Sequence, residues 1–429
     1  MNSEQKTISA DKVTSEDKSV AYLVGQFPAI NHFYLALEMR LLRRHGIRVA
    51  TASIASPDRP VDEMRPEERD EVANVYYVKR ENFWKTALTH FEVLFSRPGS
   101  FLRGFFTSIS VARAQRRSPA YGFFYFAEAL LVGKWMQRNR ISHLHCSFTS
   151  SIGLIATKVF PISHSFGVYG FGELYNPAGN LLREKIASSV FVRSVSRHGC
   201  GQLMLASPPE DWPKILYLPL GVDLEAFPPR ADVGAAAGFE ILCVGRLAPE
   251  KGQRILISAI AGLAHSSKDI RVRLVGDGPD RKILQQLSEN AGISDRIVFE
   301  GWVDQARLDE LYGTCHAFVL TSLYEGTPIV LMEAMSRQVP CIAPRINGIP
   351  EVITHGVNGL LFDPADDVAL ARLISELIEK PALARQVGIE ARRQVQAHYD
   401  VSSNTEPLAA IFTQLLSNRN PRNRHGSQT

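Results

Sequence analysis

Long apolar runs are missing from this 429-residue sequence. The best candidate for a membrane span, Phe123 to Trp135, is broken by Glu128 and Lys134, so no transmembrane helix is expected. Cysteine is scarce and scattered. Cys146, Cys200, Cys243, Cys315 and Cys341 form no C-x2-C pair and no close cluster with histidine, which leaves metal binding without support. Their number is odd, and Cys146, Cys243 and Cys341 sit in apolar, strand-like runs; they read as small core residues in a reducing cytoplasm. A strong charge of one sign is also absent. Forty-eight Lys and Arg against 44 Asp and Glu give +4, too small a basic excess for a dedicated nucleic-acid binder. No G-x-G-x-x-G occurs, which weakens a dinucleotide-dependent oxidoreductase, and no internal repeat is visible. Residues 1–19 are polar and charged without an apolar core. They are read as a disordered tail, neither signal peptide nor membrane span, and 418–429 as another.

What the sequence does contain is alternation. Ala21 to Gly25 is a short apolar run, Ile30 to His45 has apolar residues at helical spacing, and Arg48 to Ile54 and Val72 to Val78 read as further strands. That is the βαβ pattern of a doubly wound parallel sheet, in an α/β chain too long for one core. Gly25 is expected in the first strand-to-helix loop, facing the cleft beyond the carboxyl ends of the strands. The proline-led stretch from Phe227 to Gly238 is the boundary. The pattern then restarts: strands at Phe239 to Val244, Arg271 to Val275, Ile297 to Phe299, Ala317 to Leu320, Cys341 to Ala343 and Leu360 to Phe362, with Ala365 to Tyr399 helical. The expected domains are 20–225 and 238–400, with a final helix over about 401–417.

One stretch, Leu320 to Met335, concentrates the chemistry. Gly326, Thr327 and Pro328 supply a turn, Pro328 suits the first helical position, and good helix formers follow from Ile329. A free helix N-terminus offers unpaired N–H groups and partial positive charge to a phosphate. Glu325 and Glu333 flank that seat. Carboxylates beside an anion site make sense if they accept hydrogen bonds from hydroxyls, which points to a nucleotide sugar. Upstream, Gly245 and Gly252 bracket Arg246 and Lys251, two cations able to neutralise a departing diphosphate without a metal. Gly278, in the turn Gly276 to Pro279, is a further candidate for nucleotide contact; the alternative is that the glycines of this turn only satisfy its geometry.

The E-x7-E spacing of Glu325 and Glu333, Gly245-Arg246-Leu247 with Glu250-Lys251-Gly252, Gly348-Ile349-Pro350-Glu351, Asn358-Gly359 and Gly221-Val222-Asp223 together resemble the retaining GT-B glycosyltransferases of family 4, over about Val222 to Tyr399. The resemblance implies two Rossmann-like domains facing across a cleft, with a terminal helix crossing back onto the first. It also implies retaining transfer from a nucleoside-diphosphate sugar by front-face attack, in bacterial exopolysaccharide or lipopolysaccharide synthesis, with no metal or other cofactor. Glu333 is then expected to hold the ribose and Glu325 a hydroxyl of the transferred sugar. Two departures stand out. Asn31 and His32 replace the usual serine and glutamate of an early loop, and Tyr169 stands where relatives carry a donor-contacting histidine. Tyr169 still offers one hydrogen bond; His145 and His164 could take over part of that role, but a lone histidine near a strand end is more often a core residue. These departures motivate an alternative, a catalytically silent sugar-nucleotide-binding partner of a polysaccharide assembly.

Lys79 to Arg140 differs in character. Eleven basic residues face only Glu81, Glu92 and Glu128, and aromatics from Phe83 to Phe126 run through them. Such helices suit an anionic membrane surface carrying a lipid-linked acceptor, on the inner face of the cytoplasmic membrane; the alternative is solvated basic faces over a core.

Overall fold

The computed structural model describes residues 19–64, 66–231, 233, 238–263 and 269–417. The two tails, Ser19 apart, and positions 232 and 234–237 of the proline-led boundary lie outside the described residues. In β1 (Ser19–Gln26) the run from Val20 to Val24 is wholly buried, without the alternation of a half-solvated strand. A parallel sheet covered on both faces requires such a run. Six more strands complete the first sheet: β2 (Arg48–Ala55), β3 (Tyr76–Tyr77), β4 (His143–Ser147), β5 (Ser163–Val168), β6 (Val192–Ser194) and β7 (Ile215–Tyr217). Their order is β3-β2-β1-β4-β5-β6-β7, all parallel. Ala21 pairs with Ala50 on one side and Leu144 on the other, so the winding reverses between β1 and β4. The second sheet repeats the plan with β8 (Gly238–Val244), β9 (Asp269–Val275), β10 (Ile297–Gly301), β11 (Ala317–Val319), β12 (Cys341–Pro344) and β13 (Leu360–Phe362). Its order, β10-β9-β8-β11-β12-β13, reverses between β8 and β11. Ligands of such sheets bind beyond the carboxyl ends of the strands at the reversal.

Helices cover both faces. Those that bear on the cleft and its walls are, in chain order, α1 (Phe33–Arg44), α2 (Phe83–Ser96), α3 (Pro98–Ala114), α4 (Pro119–Arg138), α5 (Arg197–Leu205), α6 (Gln305–Thr314), α7 (Ile329–Ser336), α8 (Pro381–His398) and α9 (Val401–Ser417). Three apolar clusters bind these layers. One, with Leu23, Leu144, Ile155 and Phe166, lies under α3 and α4; another, with Ile241, Leu274, Ile342 and Leu373, fills the outer side of the second sheet. The third is shared by both domains and joins Tyr22, Leu35 and Phe191 to Phe318, Met332 and Val395. Helix α9 returns to the first domain and contributes Phe412, whose ring meets those of Tyr22, His143, His145 and Phe191 at 5.6–6.2 Å. Each such fully buried large side chain stabilises the fold by about 1.5–3 kcal/mol.

The structure corrects several expectations. Val72 to Val78 yields only the two-residue β3, because Pro66–Val72 forms a helix. Gly25 lies inside β1, whose pairing with β2 continues to Gln26 and Ala55. The helical stretch from Ala365 to Tyr399 is two helices, Asp367–Glu379 and α8, since Pro381 has no N–H to continue the first and starts the second. Pro328 is the residue before α7, with ψ 116°, and Ile329 is the first helical residue. All five cysteines are free, and all but Cys200 are buried.

Candidate active site

Two loops of the second domain are zipped together at the carboxyl ends of β8 and β11. Thr321 Oγ1 donates to the Lys251 carbonyl at 3.1 Å, and the Leu323 N–H to the Glu250 carbonyl at 2.8 Å. Gly252 makes this approach feasible: its φ is +61°, and a Cβ there would overlap the Thr321 carbonyl oxygen. The zip carries the chemistry. Lys251 Nζ pairs with Glu325 Oε1 at 2.5 Å, and Ser322 Oγ donates to the same oxygen at 2.6 Å. Arg246 is exposed, and its carbonyl receives Gln253 Nε2 at 2.9 Å. Gly245, the residue after β8, leaves open space where a Cβ would be, whereas Gly278 packs directly on the Leu247 carbonyl and fixes the turn.

Gly326 and Thr327 carry this loop onto the first domain. Thr327 Oγ1 donates to the Val195 carbonyl at 2.9 Å, and Gly326 lies so near Tyr169 that a Cβ would overlap its carbonyl oxygen. Glu351 clamps the same junction. Its two carboxylate oxygens accept the N–H groups of Arg197 and His198, each at 2.8 Å, so a side chain of the second domain caps α5 of the first. Asn347 Nδ2 lies 3.2 Å from His198 Nε2. Sequence reading missed this cap. The Gly348-Ile349-Pro350-Glu351 motif was visible, but its partners are more than 150 residues away.

Not every candidate joins the cluster. Glu333, on α7, is 1% exposed and accepts a hydrogen bond from the Tyr312 hydroxyl of α6 at 3.0 Å. Burial, and then the Glu333 charge, hold that hydroxyl well above its ordinary pKa, so it remains a donor. Tyr169 meets the donor loop through its backbone. Its hydroxyl is shared with Ser147 Oγ at 3.0 Å, its ring lies against Tyr34 and Phe148, and burial pushes its pKa up to about 12. The hydroxyl therefore faces first-domain groups, where a donor-sugar contact had been expected. His145 and His164 are fully buried. Burial lowers both to about 3, and they are core residues remote from a cleft role. Another departure, His32, stacks on Phe148 at 4.3 Å.

The first domain faces the junction with a cavity of about 380 Å³ lined by Gly25, Phe148, Thr149, Tyr169 and Glu173. Lys185 at its floor pairs with Glu173 at 3.0 Å. A second cavity of about 580 Å³ lies between Arg59 and Met64 of the first domain and Trp302 to Gln305, beyond β10 of the second. Two sheets thus aim their carboxyl ends at one junction, with a cation–carboxylate pair on it, in a two-domain α/β architecture.

The comparisons specify the class. Residues 235–394, most of the second domain, match the family described as Glycosyl transferases group 1. The chain is 30% identical over 190 residues, 43% of its length, to alpha-D-kanosaminyltransferase of Streptomyces kanamyceticus. It is 31% identical over 194 residues, 44% of its length, to the lipopolysaccharide core biosynthesis glycosyltransferase LpsD of Rhizobium meliloti. It spans about half the length of these relatives, 49% and 54%. The fold resembles that of Anabaena Alr3699/HepE, solved in complex with UDP, with a TM-score of 0.69 at 18% identity over 92% of this chain and 100% of that one. The fold is GT-B, and the resemblance to family-4-type GT-B glycosyltransferases is borne out.

Proposed function

We propose that the protein moves a sugar from a nucleoside-diphosphate sugar to a saccharide or lipid-linked saccharide acceptor, with retention of anomeric configuration. The setting is synthesis of a bacterial cell-surface polysaccharide at the inner face of the cytoplasmic membrane. The observation that carries this reading is the Lys251–Glu325 pair held at the domain junction. Cleaving the anomeric bond leaves two or more negative charges on the departing diphosphate. Lys251, the exposed Arg246 and the N–H groups ahead of α7 supply positive charge there, and one positioned donor is typically worth about 2–4 kcal/mol in such chemistry. Metal is not required in this scheme. Glu325, already an acceptor for Ser322 and Lys251, is the group to hold a sugar hydroxyl, and front-face attack lets the leaving phosphate take the acceptor's proton. Anabaena HepE, solved with UDP and with UDP-glucose, supports the ligand class. The name of the Rhizobium relative, a lipopolysaccharide core biosynthesis glycosyltransferase, supports the polysaccharide setting.

A panel of nucleotide sugars tests it, with nucleoside diphosphate release measured with and without lipid-linked saccharide. One donor is expected to release diphosphate, faster with acceptor present. Silence across the whole panel would contradict the assignment.

A further inference from the structure

Helix α2 is apolar on the wrong side. Its inner face buries Thr89 and Val93, while Trp84, Leu88, Phe91 and Phe95, spaced as one stripe, point the opposite way. Trp84 is 78% exposed and Phe95 80%. Helix α3 repeats the arrangement with Leu102 and Phe106, and the first turns of α4 add Phe123 and Phe124. The aromatic stretch thus divides in two. Phe101, Phe105 and Phe126 close the helical layer from within, ring against ring at 4.9–5.6 Å, and a second aromatic layer lies uncovered outside. An uncovered apolar surface of this extent on a helical layer marks a binding face.

Its charge selects the occupant. Between Phe83 and Phe124 there are six basic residues and one acidic residue, Glu92, which is already paired with Lys134 at 2.5 Å. Arg103, Arg113 and Arg116 are exposed and, among the described residues, none is paired with a carboxylate; Arg117 lies over the Tyr121 ring at 4.9 Å. A second copy of this face would bring arginine against arginine, whereas the core of a protein interface is depleted of charge. Aromatics ringed by arginines match the interfacial layer of an anionic bilayer, apolar side chains entering the acyl boundary and guanidinium groups meeting lipid phosphates. No helix among the described residues is long and apolar enough to cross a membrane. We propose that α2, α3 and the first turns of α4 form a docking face that lies in the surface of an anionic membrane. The face inserts aromatic side chains and does not act by charge alone. Lys79 and Glu128, at the base of this helical layer, line the first-domain cavity, so docking places that cavity beside the bilayer.

Purified full-length chain is sedimented with phosphatidylcholine vesicles, with and without phosphatidylglycerol, while tryptophan emission is followed. The wild type should sediment with the anionic vesicles, its emission should move to the blue, and the shift should vanish in Trp84→Phe. Higher salt should weaken binding without abolishing it, because insertion persists when charges are screened. The triple variant Trp84→Ser, Phe91→Ser, Phe95→Ser should bind at least about tenfold less, with thermal midpoint and diphosphate release from soluble donor unchanged. Those readouts separate this proposal from the donor-site reading. Wild type that ignores both vesicle types would overturn it, and so would a triple variant that binds normally. A dimer that the triple variant converts to monomer, without vesicle binding by either form, would assign the face to a second copy and overturn it equally.

Discussion

Tyr312 and Glu333 show how a residue's burial decides its part. The hydroxyl of Tyr312 meets a carboxylate with almost no solvent contact, and burial of an ionised acceptor is tolerable only while its donors remain. Tyr312→Phe should therefore lower stability by about 1–3 kcal/mol, read from denaturant unfolding; an unchanged midpoint would mean that Glu333 is solvated or neutral. The buried histidines set the acid limit. Burial holds His145 and His164 at about 3 against an ordinary 6.5, so the folded chain leaves both rings neutral while the unfolded chain protonates them below about 6.5. Unfolding then takes up protons, and stability, fully present above that pH, declines as pH falls toward 3 by up to about 1.4 kcal/mol per unit for each ring. His164→Leu should make that decline shallower whatever it does to absolute stability. An identical slope would refute the neutral-core assignment. The sequence favoured a core place for these histidines without deciding it, because a histidine in a strand-like run looks the same whether its ring faces a cleft or a core; the Tyr312–Glu333 pairing was not legible at all.

Elements with a simple burial pattern were readable, and those decided by distant partners were not. Val20 to Val24 and Phe239 to Val244 are apolar enough to announce central strands, and Leu360–Phe362 is found where it was expected. Tyr76–Tyr77 is too short for a period, and its pairing depends on where the preceding helix ends. The loop-to-helix turn before Ile329 was legible through Gly326 and Pro328. Its seating against Tyr169 and Val195 was not, since nothing local encodes a contact across domains. Helix α5 is the clearest case. It has its own cap, Ser196 Oγ on the Gly199 N–H at 3.0 Å, and a second from Glu351. Glu351→Ala should cost about 0.5–2 kcal/mol and raise amide exchange at Arg197 and His198. Unchanged exchange there would show that the clamp is not held in solution.

At the scale of the molecule, the shared apolar cluster and the Glu351 clamp fix where the two sheets meet, and that places the Lys251–Glu325 pair at the junction. Motif spacing located Lys251 and Glu325 on separate loops of one domain; only the folded chain, in which Thr321 and Leu323 tie those loops together, puts them 2.5 Å apart. The central proposal is that Lys251, oriented by Glu325, and Arg246 supply the positive charge that a metal would otherwise provide. Its most direct test is turnover of the accepted nucleotide sugar by wild type, Lys251→Ala and Glu325→Gln in excess chelator. Wild-type activity should persist, and each variant should lose at least about a hundredfold in kcat/KM with its unfolding midpoint kept. An absolute need for Mg2+ or Mn2+, or wild-type rates in either variant, would contradict the account.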